Sequence, residues 1–207
     1  MAAEFYRIHP ETPSNRLVSK AAQILKNNGI AIYPTDSVYG LGCKLSNKKG
    51  IEKIAQFKGL KTKNVKFSFL FSDIGQIEEY TLPLSKQTFK IIKKNLPGPF
   101  TFILPASNKI PKLLESSRKT LGIRIPDNNI IRDIIRLVDE PILNISVHDD
   151  DEIIEYTTDP ELIYDNFKNN VDVIINGGYG FIYPSTVVDL TEDEPVIVRQ
   201  GIGELIL

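Results

Sequence analysis

The strongest constraint on the fold of this chain is an alternation of short apolar runs with longer amphipathic segments. The apolar runs have the length and composition of buried strands, and they lie at residues 30–33, 67–71, 100–104, 121–125, 141–146, 171–175, 186–190 and 196–199. Helical patterns fill the intervals at residues 14–29, 48–57, 85–96 and 128–138 and after Asp159-Pro160, with Ser14, Ser85 and Asp159 as expected N-caps. This alternation within 207 residues predicts one α/β domain around a twisted sheet.

The composition excludes several classes of protein. No apolar run approaches the roughly 18 residues that a membrane-spanning helix needs, and the first ten residues contain no apolar signal core. The lone cysteine, Cys43, excludes an internal disulfide framework and suits a reducing compartment. With only His9 and His148 beside it, a transition-metal site is not expected. We therefore expect a cytoplasmic protein without a membrane segment or a bound transition metal.

The net charge of −1 conceals a strong asymmetry along the chain. Residues 1–104 carry 16 Lys and Arg against 7 Asp and Glu, whereas the rest of the chain carries 9 against 19. Eight of the lysines lie within residues 44–66, and the acidic half peaks at residues 149–165. Such runs are typical either of solvated faces or of an anion-binding side that faces phosphates. We expect the lysines of 44–66 to border such a side together with Arg124 and Arg199.

The stretch YPTDSVYGLG, residues 33–42, joins the end of an apolar run to an unusual concentration of short polar groups. Pro34 cannot donate to a sheet ladder, so the strand should end there. The turn that follows contains Thr35, Asp36, Ser37 and Tyr39. We expect Gly40 and Gly42 to supply backbone freedom to this turn.

Further polar groups lie at the ends of predicted strands. PGPFT places Thr101 just inside a strand, and GIRIP places Arg124 between two isoleucines, so that alternation directs the guanidinium to the opposite face. INGGYGFIYPST, residues 175–186, is a glycine-rich connection whose N–H groups and Ser185 hydroxyl suit a phosphate. Arg199 ends the last strand. Taken singly, each motif also has a structural explanation: a helix stop, a surface ion pair or a turn.

No standard nucleotide or nucleophile motif is present. The chain lacks G-x-x-x-x-G-K-[ST], YGLGC is not G-x-G-x-x-G, and no G-x-S-x-G elbow occurs. The available groups are Lys, Arg, Ser, Thr and backbone amides, which suit the binding of phosphate or carboxylate more than covalent catalysis. We assign no catalytic residue from the sequence.

Taken in order, the motifs are more specific than any one of them. YPTDSVYGLG, FKGLK, PGPFT, GIRIP, ILNISV, STVVD and VRQG together resemble the YrdC/YciO family from about residue 5 to residue 204. The resemblance implies a single YrdC-like domain over residues 1–207, with a twisted, mostly mixed sheet, flanking helices and a large concave basic groove. It also implies a threonylcarbamoyl-AMP synthase, which condenses L-threonine, bicarbonate and ATP, releases pyrophosphate and serves the threonylcarbamoyladenosine modification of tRNA. Magnesium would enter with ATP, and the family is also linked to double-stranded RNA.

The same resemblance assigns roles to individual residues. It places Thr35 and Tyr39 at the threonine-binding end of the groove and Thr101 and Arg124 along it. The residues near ATP and its phosphates are Lys58, Lys61, Ser146, Ser185 and Arg199. No residue is assigned to a metal.

Two departures from the family pattern put the activity in question. Leu60 stands where the family's Lys-x-Arg pair has arginine, with Lys61 next to it as an imperfect substitute. Ser146-Val147-His148 replaces Ser-Ala-Asn, and an acidic run follows. These departures place the chain nearer the YciO branch. Three functions stay open: a weakened synthase, a double-stranded RNA-binding protein of RNA maturation without synthase activity, and a nucleotide-binding enzyme with another acyl or phosphoryl acceptor.

Overall fold

The computed structural model describes residues 2–111, 114, 119–147, 157–192 and 194–207. In this part of the chain, six helices flank one ten-stranded sheet, as the sequence predicts for an α/β domain. The strands are β1 (Glu4–Arg7), β2 (Ala31–Tyr33), β3 (Gly40–Lys44), β4 (Ser68–Leu70), β5 (Phe100–Pro105), β6 (Thr120–Arg124), β7 (Ile142–Ser146), β8 (Val173–Asn176), β9 (Thr186–Asp189) and β10 (Val196–Arg199). The helices are α1 (Asn15–Lys26), α2 (Lys48–Phe57), α3 (Ile74–Glu78), α4 (Lys86–Asn95), α5 (Asn129–Val138) and α6 (Pro160–Phe167), with a 3₁₀ turn at Thr62–Asn64. None of these helices is long and apolar enough to cross a membrane.

The sheet is mixed, with the strand order β1-β8-β2-β3-β7-β4-β6-β5-β9-β10. The pairs β1–β8, β8–β2, β4–β6 and β5–β9 are parallel, and the other five pairs are antiparallel. Neighbouring strands in a sheet rotate by about 20–25°, so four steps from β2 to β6 amount to roughly 80–100°. This twist allows the turn after β2 to meet the end of β6, although three strands lie between them.

Two hydrophobic layers enclose the sheet. On one face, α1 and α5 pack against side chains such as Tyr33, Leu70 and Ile142. On the other face, α2, α4 and α6 pack against a larger cluster that includes Ile123 and Phe102. The strands β5, β6 and β9 alternate between buried and half-buried residues, because the layer of α1 and α5 does not extend over them.

The helix ends agree with the sequence in position. Ser85 and Asp159 cap α4 and α6, since their side chains accept hydrogen bonds from the backbone of the first turn. Ser14 occupies the N-cap position of α1, but its side chain makes no capping hydrogen bond, contrary to expectation. The end of α5 is a left-handed residue, Asp139, with φ of 64°.

Gly40 and Gly42 correct the sequence interpretation. They lie in strand β3 rather than in a turn, and neither has a positive φ. A Cβ on Gly40 would lie 2.6 Å from the ring of Tyr33 and would collide with Asn144 Oδ1, and a Cβ on Gly42 would collide with the Tyr33 hydroxyl. The glycines are therefore needed for space: the Tyr33 ring crosses β3, and its hydroxyl donates to Asn144 Oδ1 at 2.9 Å.

Candidate functional site

Arg124 lies at the end of β6 and organises one end of the site. It is only 3% exposed, on the opposite side of its strand from the two flanking isoleucines, which join the core as alternation predicts. Its Nη2 donates to Thr35 Oγ1 at 3.1 Å and to Ser37 Oγ at 2.8 Å, and it forms an ion pair with Asp36. Three polar side chains of the predicted turn therefore converge on one guanidinium.

The turn after β2 is also braced internally. Thr35 Oγ1 donates to the carbonyl of Val38 at 2.8 Å and accepts from the N–H of Ser37 at 3.0 Å. Asp36 Oδ2 accepts from the backbone N–H of Asp127 at 2.8 Å, which ties the turn to the segment before α5. Thr35 is thus a buried member of a fixed network and holds the arginine in place.

One hydrogen-bond donor of Arg124 is unpaired. Its Nε is buried and has no hydrogen-bond partner among the described residues. A buried donor without a partner costs about 1–3 kcal/mol. Such a group is a candidate for contact with an acceptor atom of a ligand.

Strand register places Ser146 on the same face as Arg124. Residues opposite each other in paired strands point to the same face of the sheet. Arg124 is opposite Leu70, and Leu70 is opposite Ile142. Ser146 lies four residues after Ile142 on β7, so it points to this face too, and it is half-buried.

The same face continues through β5, β9 and β10. Phe102 is opposite Ile123, so the β5–β6 ladder extended by one residue sets Thr101 opposite Arg124. Thr101 is also opposite Val187 in β9, and Arg199 in β10 is opposite Val187. Ser185, two positions before Val187, shares the face. We refer to these five sequence-predicted residues, Ser146, Arg124, Thr101, Ser185 and Arg199, as the site row.

Three members of the site row are joined by hydrogen bonds. Thr101 Oγ1 and Ser185 Oγ lie 2.9 Å apart, and Arg199 Nη2 donates to the carbonyl of Ser185 at 2.9 Å. Ser185 is buried, and its hydroxyl is bonded to another strand rather than to its own. The next residue, Thr186, donates to the carbonyl of Gly203 at 2.7 Å and accepts from the N–H of Gly201 at 3.0 Å. The chain after β10 is thereby folded back onto the row.

The hydroxyl of Tyr39 is engaged by the glycine-rich connection between β8 and β9. Its ring is buried, and its hydroxyl donates to the carbonyl of Gly178 at 2.6 Å and accepts from the N–H of Gly177 at 3.2 Å. Burial is the main reason that the pKa of Tyr39 rises to about 12, so the hydroxyl keeps its proton at neutral pH. Tyr39 therefore anchors the glycine-rich connection between β8 and β9.

This connection, residues 177–185, is called the strap below. Gly178 has φ of 97°, which favours glycine, and a Cβ on Gly180 would lie 2.7 Å from the Tyr39 ring. The strap also contacts Thr158 and Ser37, through N–H donors of Gly180 at 2.8 Å and of Phe181 at 3.4 Å. It crosses beside the Arg124 cluster and ends at Ser185, so it links both ends of the site row.

The sequence interpretation missed the apolar side chains of the strap. Four large side chains in succession around Gly180 are exposed to solvent: Tyr179, Phe181, Ile182 and Tyr183. Their signal is present in the motif GGYGFIYPST, in which aromatic residues alternate with glycine and proline.

The described lysines of residues 44–66 are distributed over both ends of α2. Lys48, Lys49 and Lys53 lie around the N-terminal end of α2, where they line a cavity of about 440 Å³ with Asn28 and Asp172. The Nζ of Lys44 donates to the carbonyl of Lys26 at 2.8 Å. Since a helix rises 1.5 Å per residue, the ten residues of α2 place its two ends about 15 Å apart.

Lys58 and Lys61 lie beyond the other end of α2. Lys58 is the half-buried C-cap of this helix, and Lys61 is the exposed residue before the 3₁₀ turn. The segment then enters β4, and the register of β4 with β7, extended by two residues, sets Lys66 opposite Ser146. The helix itself packs on the other face of the sheet, through Ile51 and Ile54.

The comparisons with known proteins agree with this architecture. The Sua5/YciO/YrdC family model, described as telomere recombination, matches residues 23–201. The chain belongs to this family. Leu60, at the position where the family resemblance expects arginine, is 47% exposed. His148 and the acidic run from Asp149 lie outside the described residues.

Family relatives differ in how much is known of them. Escherichia coli YciO, called an uncharacterized protein, is 38% identical over 205 residues, which is 98% of both chains. Its crystal structure matches with a TM-score of 0.90 at 37% identity and covers 98% of this chain and 97% of that one. The threonylcarbamoyl-AMP synthase of Pyrococcus abyssi is 29% identical over 182 residues, which is 87% of this chain and 53% of that protein. The structure of Pyrococcus abyssi Sua5 complexed with L-threonine matches with a TM-score of 0.85 at 26% identity, over 95% of this chain and 57% of that one.

The described residues do not contain a group of three or more His, Cys, Asp or Glu side chains arranged to hold a metal ion. The groups that the site row offers are hydroxyls and guanidinium donors. As hydrogen-bond donors, such groups bind anionic or carbonyl oxygens. The row is therefore suited to positioning an oxygen-rich ligand.

Proposed function

We propose that this protein forms threonylcarbamoyl-AMP from L-threonine, bicarbonate and ATP, with release of pyrophosphate. The proposal is supported by the family, by the synthases among its relatives and by the L-threonine complex of the similar Pyrococcus abyssi structure. The observation that carries it is the site row, in which a fixed Arg124–Asp36 pair and a Thr101–Ser185–Arg199 group lie on one face of the sheet.

The two ends of the row differ in chemistry, and we assign the substrates accordingly. The Arg124 end, with Thr35 and the unpaired donor Nε, would take the amino acid. The Ser185 end, with Arg199, would take the nucleotide phosphates, and Ser146, Lys58 and Lys61 would approach them from the other side. Magnesium would enter with ATP as part of that substrate.

The reaction needs positioning more than a protein nucleophile. The amine of threonine and bicarbonate give a carbamate and water. A carboxylate oxygen of the carbamate then attacks the α-phosphorus of ATP, and pyrophosphate leaves as the bond from the α-phosphorus to the α,β-bridging oxygen breaks. Alignment of the reactants and neutralisation of phosphate charge are the main contributions that a protein makes to such a transfer. The hydroxyl, guanidinium and ammonium groups named above are suited to both.

A second candidate is binding of double-stranded RNA without turnover. It is favoured by the exposed lysines of α2, namely Lys48, Lys49 and Lys53, and by the similarity to YciO, for which no activity is named. Lysines on an exposed helix bind a phosphate backbone without reading its sequence. If this candidate is correct, the site row retains the geometry of the family without its catalytic use.

Pyrophosphate release separates the candidates. The protein is incubated with ATP, magnesium, L-threonine and bicarbonate, and each component is omitted in turn. Release that requires threonine and bicarbonate together supports the synthase. Release without threonine indicates another acyl or phosphoryl acceptor, and salt-sensitive binding of duplex RNA without release supports the second candidate.

A further inference from the structure

The ion pair between Arg124 and Asp36 has a bearing on which ligand the site accepts. The exposed fractions of the two side chains are 4% and 11%, so solvent screens their attraction only weakly. Among the described side chains that bond Arg124, Asp36 alone is charged, since Thr35 and Ser37 contribute neutral hydroxyls. Asp36 therefore sets the local charge at this end of the row.

The carboxylate of Asp36 is held in place from two sides. One oxygen pairs with Arg124, and the other accepts from the N–H of Asp127 at 2.8 Å. The turn itself is locked by the bonds of Thr35 to Val38 and Ser37. Because both oxygens are engaged, turning Asp36 away from the guanidinium would break both contacts.

An unpaired guanidinium is a strong site for phosphate, since its planar fork matches two phosphate oxygens. When it is paired with Asp36, Arg124 keeps an unpaired Nε donor, and the two formal charges of the pair sum to zero. For a ligand that bears a full negative charge, repulsion by Asp36 opposes the attraction by Arg124. An amino-acid zwitterion, in contrast, has an ammonium group that can contact the Asp36 carboxylate and a carboxylate oxygen that can accept from Arg124 Nε.

We propose that Asp36 is a specificity-determining residue, which reserves the Arg124 end of the site row for a ligand without net charge, such as an amino-acid zwitterion, and keeps phosphates out of it. This deepens the proposed function, because the triphosphate of ATP is thereby directed to the Ser185 end. The exclusion of phosphate, however, is a property of the charges alone and does not require synthase activity.

The test is the affinity for inorganic phosphate of the natural protein and of Asp36→Asn, measured by isothermal titration. Loss of the acid should raise phosphate affinity by about tenfold or more, the effect of one charge-assisted contact. Asp127→Asn is the matched control: it removes a neighbouring exposed carboxylate, but only the backbone of Asp127 contacts Asp36. The double variant Asp36→Asn with Arg124→Gln should lose the gain.

Three results would overturn the proposal. They are no gain in phosphate affinity in a folded Asp36→Asn protein, an equal gain in Asp127→Asn, and a gain that persists when Arg124 is also replaced.

If Asp36→Asn fails to fold, a competition experiment between phosphate and L-threonine in the natural protein tests the proposal. Phosphate should leave L-threonine binding unchanged, and displacement of threonine by phosphate would contradict the proposal. If pyrophosphate release is absent while the phosphate results hold, the proposed function fails and the role of Asp36 stands.

Discussion

Thr101 on β5 and Ser185 at the end of the strap share a hydrogen bond of 2.9 Å between their hydroxyl oxygens, although 84 residues separate them in the chain. Each hydroxyl still has hydrogen-bonding capacity for a ligand, since a hydroxyl has one donor and two acceptor sites. The bond therefore both fixes the strap to the sheet and prepares two oxygens at one point of the site row.

Ser185→Ala should weaken ATP binding and leave L-threonine binding nearly unchanged. The variant loses a contact at the proposed nucleotide end and leaves the Thr101 hydroxyl without this partner, which should also lower the free energy of unfolding by about 1 kcal/mol. Titration calorimetry with each substrate measures the two affinities. Thr191→Val is the control, since the Thr191 hydroxyl bonds Asp189 at the other end of β9. Equal losses for both substrates would argue against separate ends.

Leu60→Arg should raise ATP affinity or turnover. Charge-assisted hydrogen bonds are worth about 1.5–3 kcal/mol, which corresponds to roughly ten- to a hundredfold. Leu60 is half exposed, so a longer charged side chain is accommodated without loss of core packing.

His148→Asn, alone and combined with Leu60→Arg, tests the second departure from the family pattern. Leu82→Arg is the control at an equally exposed leucine outside the site. Full activity in the natural protein would show that Lys61 and its neighbours suffice.

Lys58→Ala should weaken ATP binding clearly, whereas Lys48→Ala should have little effect. The two lysines stand at opposite ends of α2, and only Lys58 lies on the side from which the segment leads to β4 and Ser146. ATP affinity at two salt concentrations measures the difference, because lysine–phosphate contacts are screened by salt. Small and equal effects would indicate that both lysines belong to a solvated face.

Tyr39→Phe should flatten the loss of stability at high pH. Burial raises the pKa of Tyr39 from 10.0 to about 12 in the folded protein, so the folded state holds the proton more tightly than the unfolded chain does. Stability contributed by this group is complete below about pH 10 and is lost as pH rises towards 12, by about 3 kcal/mol in all. Urea unfolding across this range measures the slope. The pKa of buried Tyr33 is raised as well, so part of the slope should remain. Tyr179→Phe, on an exposed part of the strap, should leave the slope unchanged.

Much of the fold follows from local patterns, and the exceptions have physical causes. Periodicity and capping residues predict five of the helices and most of the strands, because each pattern reflects burial on one face of its own element. The sequence does not predict strand β3, because Gly40 and Gly42 have low strand propensity. Glycine is needed at both positions because the Tyr33 ring of the neighbouring strand leaves no space for a side chain. The short helix α3 was missed because five residues carry too little periodicity.

The site shows the same limit. Alternation alone directs Arg124 to the face opposite its two flanking isoleucines, and the structure agrees. Which groups Arg124 meets depends on the twist of the sheet, which brings the turn after β2 across three strands. Tyr39 belongs to the same polar motif, and its hydroxyl bonds the backbone of the strap, which is a distant part of the chain. Long-range partners of this kind are not encoded in local spacing.

The most direct test of the account is detection of the product itself. The protein is supplied with ATP, magnesium, L-threonine and ¹³C-bicarbonate, and the mixture is analysed by mass spectrometry. The account predicts threonylcarbamoyl-AMP that carries the heavy carbon and disappears when threonine or ATP is omitted. ATP binding without any threonine-dependent product, in the natural protein and in Leu60→Arg alike, would contradict it.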